Sequence, residues 1–499
     1  VAAFALSGHA AAQQVPANGG LPGDGSAFSD AQLREAARAL ARRPFQPLAN
    51  TALPAPFANL TQEQYAGIQP RPERALFADE ARGFIIEPLH RGFVYSAPVN
   101  LHVVEEGTVR RIGYDAERFT FGRLTPPAGL PDLGFAGFRV QAVAAESPPR
   151  EVAVFQGATF FRSRARGQQL GSIARALSIR TADPRGEEIP FFRSFWIERP
   201  PAGSAKLTLH ALAESESVVA LFRFTLHQGE VTIIDTEATL FARAAVDHIG
   251  FAGMQGSYFF GANDRRGVDD LRPAAHEVGG LQMLNGKGEW IWRPVQNPET
   301  LQISSFIDLN PKGFGLVQRE RDFQAFQDDD QRYELRPSLW IEPIGEWGAG
   351  AVQLVEIPSD QDIHDNIIAY WRPAQALAAQ GEMAVAYRQF WAWVPPERPP
   401  LALVQSTRVG RAGGGRRRRF LVEFAAESLG QPPATPLRPV LTAAPGTVST
   451  PVLHLNPARR TARVLFELDP GNENACELRL VLQAGEQPFS ETWLYRWTP

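Results

Sequence analysis

The 499-residue chain has a single cysteine, Cys476. One thiol can close no intramolecular disulfide and cannot build a cysteine-rich metal centre. The nine histidines are scattered without ligand spacing, so neither a transition-metal site nor a bound cofactor is expected. There is no G-x-S-x-G elbow, no P-loop and no H-E-x-x-H, which removes the common hydrolase, nucleotide and zinc-protease chemistries. No segment approaches the roughly 18 uninterrupted apolar residues of a membrane helix, so no membrane insertion is expected. The formal charge of −4 lacks the basic excess of a nucleic-acid binder. Carboxylates and aromatics remain.

The composition otherwise suits a folded, turn-rich protein. Hydrophobic residues make up 44%, and 43 glycines with 41 prolines fit many turns between short strands. A chain this long exceeds what one core usually organises, so two domains are expected.

The opening VAAFALSGHAAAQQ reads as the end of a secretory signal peptide, with an apolar tail and small residues before Gln13. This gives a signal remnant over 1–12 and a flexible lead-in over 13–27. Residues 29–42 form the clearest helix, capped at Ser29 or Asp30, with Leu33, Ala36, Ala37 and Leu40 on one face. Thr61 followed by Gln64 reads as a second, short capped helix. From about residue 83 short strands dominate: FIIEPL, VNLHVV, VVALFRFTL, VTIIDTEATLFA and GAVQLVEI. The expected class is all-β, with a large β-sandwich over 28–392. The proline-rich 393–400 marks a linker, and 401–499 has the strand spacing of an immunoglobulin-like sandwich.

Residues 256–293 set Asp264, Asp269, Asp270, His276 and Glu277 among Tyr258, Phe259, Phe260, Trp290 and Trp292. Carboxylates do acid–base work and aromatic faces stack on sugar rings, which suggests a carbohydrate site. GEEIPFFRSFWIERP adds Arg193 and Trp196, and QRYELRPSLWIEP adds Tyr333, Arg336 and Trp340. Asp360, Asp362, His364 and Asp365 precede the apolar IIAYW, at a strand mouth where sites often sit. The run at 328–330 lacks the stagger of a calcium loop and reads as a solvated turn. The arginines at 416–419 follow three glycines and read as a mobile solvated loop.

The order of the long motifs decides among these readings. FRSFWIERP, YFFGANDR, DDLRPAAHE, GEWIWRPVQNP, NPKGFGLVQRERDFQAFQD, LRPSLWIEPIGEWG and VEIPSDQDIHDNIIAYW together resemble the periplasmic glucan biosynthesis protein G/D family of Gram-negative bacteria. The resemblance implies a periplasmic protein with a galactose-mutarotase-like β-sandwich and an immunoglobulin-like C-terminal domain. It implies action on the β-1,2-linked glucan backbone of osmoregulated periplasmic glucans. D-type members are inverting endo-β-1,2-glucanases, and some relatives are inverting transglycosylases. G-type members suggest the alternative of a non-catalytic glucan-binding scaffold that assists a membrane glucan synthase. A homodimer is also implied, because the GRAGGGRRRR loop matches one that covers a neighbouring subunit's cleft in D-type relatives. A mutarotase-like epimerase would share the fold, but the sequence shows no convincing His–Glu pair for it.

Carried over by motif, the general acid is Asp365 of HDNII. The base-side carboxylate follows the His of R-P-x-x-H-D, which here is Glu277, where an Asp is usual. Tyr333 matches a tyrosine of the family's proton relay. Glutamate extends the carboxylate by roughly 1.5 Å, one C–C step, in a pair that leaves about 6.5–9.5 Å for water. Asp362 stands where relatives often carry Glu, so the two changes are complementary in length and suggest a repacked relay. Tyr258, Phe260, Trp292, Trp340 and Trp196 are the expected sugar platforms. Arg272 and Arg336 are expected hydroxyl anchors or carboxylate partners, and His276 and Asp362 complete the expected substrate contacts.

Overall fold

The structure is a computed structural model that describes residues 20–47, 53–143, 148–265 and 267–499. The expected signal remnant, 1–12, and residues 13–19 of the lead-in lie outside the described residues. The rest of the lead-in is laid against the fold. Gly25 N–H donates to Val109 O at 2.8 Å, and Asp24 accepts from the Arg111 N–H at 2.8 Å. Those bonds replace the flexibility expected of 20–27.

Helix α1, Asp30–Ala41, begins where the sequence placed it, with the Ser29 hydroxyl accepting from the Gln32 N–H. Its apolar stripe, Leu33, Ala37 and Ala41, packs on Leu212, Val219 and Phe241. Helix α2, Gln62–Ala66, carries both bonds of the expected capping box between Thr61 and Gln64. Strands account for most of the remaining regular structure, as the turn-rich composition implied.

A ten-stranded and a fifteen-stranded sheet dominate the molecule. Period-two alternation sends one face of each inward, as in Val218–His227, where Phe222 and Phe224 are buried and Arg223 points out to Glu237. Phe138 and Phe155 of one sheet meet Phe195 and Phe224 of the other, with Phe138 4.9 Å from Phe195. Each such ring contributes about 2 kcal/mol by leaving water. The fold is all-β, built from stacked sheets.

The C-terminal strands form a five-stranded sheet and, opposite it, the strands Leu437–Ala444, Cys476–Ala484 and Thr492–Trp497. These last three do not close on themselves. Thr492–Trp497 runs parallel to Trp290–Pro294, pairing Trp292 with Trp493, so they extend the fifteen-stranded sheet. Trp292 and Val317 bury into the C-terminal core, and Arg319 ion-pairs with the fully buried Glu491 at 2.5 Å. The proline-rich 393–400 is therefore crossed by sheet hydrogen bonds made elsewhere in the chain.

Strands Ile249–Gly256 and Ile367–Pro373 are antiparallel neighbours with Gly256 opposite Ile367. The end of the first and the start of the second thus lie together at one end of the ten-stranded sheet, the edge made by strand ends. Ser257, Tyr258 and Asp365 lie at that edge.

Candidate active site

Asn366 is the local clamp. It accepts from the Tyr258 N–H at 2.8 Å and donates to Tyr258 O at 3.0 Å and Ile357 O at 2.9 Å. The Glu277 N–H donates to Ser257 O at 2.9 Å. One short segment, 257–258, therefore positions both Asp365 and Glu277. A buried amide with all these bonds satisfied is rigid, which places the two carboxyls without relying on loop order.

The pair is shielded from water: Glu277 is 12% exposed and Asp365 23%. Burial, and then the charge of Asp365, pushes Glu277 up to about 7. Asp365 is raised as well, by burial, against the opposing pull of Arg162 and the Gln255 amide. The negative charge of one carboxyl thus makes the other harder to ionise. Arg336 stands 3.6 Å from Glu277 and Arg162 3.7 Å from Asp365, one cation for each carboxyl. One oxygen of Glu277, Oε2, is buried without a hydrogen-bond partner. Arg336 reaches Glu277 across Gly171, where a β-carbon would lie 2.9 Å from its Cδ.

Beside this pair lies a second cluster of different character. Arg272 donates to Asp270, Asp328 and Asp362, each at 2.7 Å, and the Tyr333 hydroxyl donates to Asp362 at 3.0 Å. The guanidinium holds Asp270 below the usual carboxylate range. Burial opposes it at Asp328, but the Gln331 N–H and Arg272 still hold that carboxyl low. Asp328 is thus a buried member of a charge network, which corrects the expected solvated turn at that residue, while Asp329 and Asp330 are exposed in a turn as expected. Tyr333 is raised by burial and then by Asp362. Its hydroxyl serves the Arg272 cluster. Glu277 and Asp362, linked in the sequence reading by their complementary lengths, stand in separate networks.

The expected sugar platforms need correction. Trp196 is 1% exposed, with its indole N–H on Pro22 O and its face on His102. Trp340 is equally buried against Trp290. Trp292 lies under the Arg319 guanidinium, 3.6 Å from the ring centroid. Phe260 packs with Phe326 and Tyr333, and Tyr258 stacks on His276. These faces are occupied by protein, so none is open to a sugar ring. His276 accepts from Gln318 through its carbonyl at 2.9 Å, and burial pushes its imidazole down to about 4, leaving a neutral structural residue.

Arg162 also lines a cavity of about 330 Å³ together with Tyr65, Tyr95, Gln156, Phe160 and Leu170. That size falls at the small end of ligand sites, about 300–1,000 Å³. Here the aromatic faces border open space. Arg162, Gln255, Tyr65, Tyr95 and Phe160 had no signal in the sequence, because each sits on an ordinary strand, short helix or, for Tyr95, a turn, and only tertiary packing brings them together.

The family described as periplasmic glucan biosynthesis protein, MdoG, matches residues 28–497. A protein named glucans biosynthesis protein G from Rhodopseudomonas palustris (strain BisA53) is 42% identical over 488 residues, covering 97% of this chain and 96% of its own. One of the same name from Vibrio cholerae (strain ATCC 39541) is 41% identical, covering 93% of this chain and 85% of its own. A solved galactose mutarotase-related enzyme from Lactobacillus acidophilus aligns at 7% identity and TM-score 0.22, covering 47% of this chain and 95% of its own, too low to argue from.

Proposed function

Because the chain belongs to the periplasmic glucan biosynthesis protein family, we propose that it is a periplasmic enzyme that cleaves or transfers β-1,2-glucan chains with inversion. The observation that carries this reading is the buried carboxyl pair, Asp365 and Glu277, raised toward neutral pH beside an aromatic-lined cavity. Glycoside cleavage needs one carboxyl that keeps a proton to give to the leaving oxygen, and one that takes a proton from the attacking hydroxyl. Asp365 is assigned as the acid and Glu277 as the base side. Burial raises Asp365 in the direction acid work requires, and Arg162 and Arg336 draw both carboxyls back toward the ionised form that base work requires.

Purified protein incubated with linear β-1,2-glucan provides the test. Chain shortening or disproportionation by mass spectrometry, with optical rotation reporting inversion, is the expected result. The second reading is a non-catalytic scaffold for a membrane glucan synthase, favoured by the biosynthetic names of the relatives. Tight glucan binding with no change in chain length would select it. A second copy of this chain is a further proposed partner, read out by sedimentation. Fractionation of the native host checks the compartment.

A further inference from the structure

Charged groups face Asp365 from several elements: Arg162 from Phe160–Ser163, Glu277 after His276, Arg336 after the Tyr333–Leu335 turn, and His364 beside it. The remaining polar neighbour is uncharged. Gln255, on Ile249–Gly256, sets its amide beside the Asp365 carboxyl in an approach that favours the ionised form. A primary amide can be placed there either way round. With its NH2 toward Asp365 it donates and favours the carboxylate. With its carbonyl there it accepts the acid's proton and holds it away from any substrate.

What lies behind Gln255 decides between these. Arg175 Nη1 donates to Gln255 Oε1 at 3.2 Å. A guanidinium has donors only, so this contact turns the carbonyl end away from Asp365. Arg175 is itself fixed. It is ion-paired with Glu187, whose carboxylate also accepts from Thr181 Oγ1 at 2.7 Å, and Phe160 lies 5.2 Å from its guanidinium. Its strand neighbour, Gly253, leaves the space: a β-carbon there would sit 2.9 Å from Arg175 Cβ. Arg175 thus links Glu187 to Gln255, the uncharged neighbour of Asp365.

We propose that Arg175, braced by Glu187, is a positioning residue that holds the Gln255 amide with its NH2 toward Asp365, so that the acid's proton stays on the oxygen left free for the glycosidic bond. This rests on Asp365 being the acid, so the test reads the carboxyl itself as well as turnover. Infrared difference spectra between the protein and its Asp365→Asn variant follow the Asp365 carboxyl through pH without substrate.

In Arg175→Met the amide is free to turn, and the Asp365 midpoint should rise by about one pH unit, the scale of one hydrogen bond to a charged group. Turnover should fall with KM little changed. Loss of the positive charge alone would also raise the midpoint, so the decisive measurement is the same substitution in a Gln255→Leu background. There it should add nothing further, because the coupling runs through the amide. An equal shift with and without Gln255, or none in Arg175→Met itself, overturns the proposal. Should Arg175→Met not fold, Arg175→Lys keeps a cation for Glu187 but cannot hold both partners, and is read by the same double substitution. Midpoints that behave as expected in a protein without glucan turnover would sink the proposed function and leave the positioning role standing.

Discussion

Three chain segments each contribute to both acidic clusters, and the two clusters behave in opposite ways. Residues 270–277 send Asp270 and Arg272 to one and Glu277 to the other. The turn at 333–336 sends Tyr333 to one and Arg336 to the other, and the loop at 362–365 divides Asp362 from Asp365. Around Arg272, bidentate and charge-assisted bonds satisfy the carboxylates and hold Asp270 and Asp328 low. At the other cluster the cations stand 3.6 and 3.7 Å away, too far for a good hydrogen bond, and burial wins. Carboxyls a few residues apart are therefore tuned in opposite directions, one set held ionised in a charge network and the other raised by burial. Distance to the guanidinium is what separates them.

The strongest way to break the contrast is at the acid. Asp365→Asn keeps the shape but removes the transferable proton, so turnover of β-1,2-glucan should fall by roughly 10²–10⁴, with glucan affinity little changed. Glu277→Gln should be comparably damaging, whereas Glu277→Asp should retain activity and shift the balance between hydrolysis and transfer. Product profiling by mass spectrometry checks all three.

Next comes the structural cluster. Arg272→Met leaves three carboxylates without their shared cation and should cost about 3 kcal/mol of stability, the range for breaking a partly buried pair. Chemical denaturation reads this, and the loss should shrink at low pH as the carboxylates protonate.

Glu277 makes the opposite prediction. Its folded pKa, about 7, lies above its ordinary value, so the folded state holds the extra proton between them. Stability from this group is therefore full at acid pH and falls as pH rises toward 7. Glu277→Gln removes a charge that burial disfavours, and should raise Tm at pH 8 by a few degrees, worth about 2–3 kcal/mol. At pH 4 it should change Tm little. Thermal melts at the two pH values compare the signs directly with Arg272→Met.

The smallest effect is expected at Asp360, on the same loop as Asp365 but with its side chain 87% exposed. Asp360→Asn should leave turnover within about twofold, since exposed pairs contribute little. If Asp360→Asn abolished turnover while Asp365→Asn spared it, the assignment of the acid would be wrong.

Local signals in the sequence were legible because their physics is local. The Ser29 cap, the Thr61 and Gln64 capping box and the alternation of strands such as Val218–His227 depend on residues within one or two turns. The positions of Asp365 and Glu277 came from motif order, and the structure brings them to one sheet edge. The aromatic platforms went the other way. Trp196, Trp292 and Trp340 are as aromatic as Tyr65, Tyr95 and Phe160, and nothing in the chain says which face of a strand meets core and which meets a cavity.

By itself, then, the sequence determined the all-β class, the capped helices and the absence of an intramolecular disulfide, and it singled out the two carboxyls proposed as acid and base. Only the tertiary structure decided that Asp328 is buried with Arg272, that the C-terminal strands extend the main sheet through Trp292 and Trp493, and that Asp365 and Glu277 are raised. Composition and pattern fix what a segment can form. A pKa, an open aromatic face or a shared sheet depends on which distant residues lie within a few ångströms, and that is set by packing.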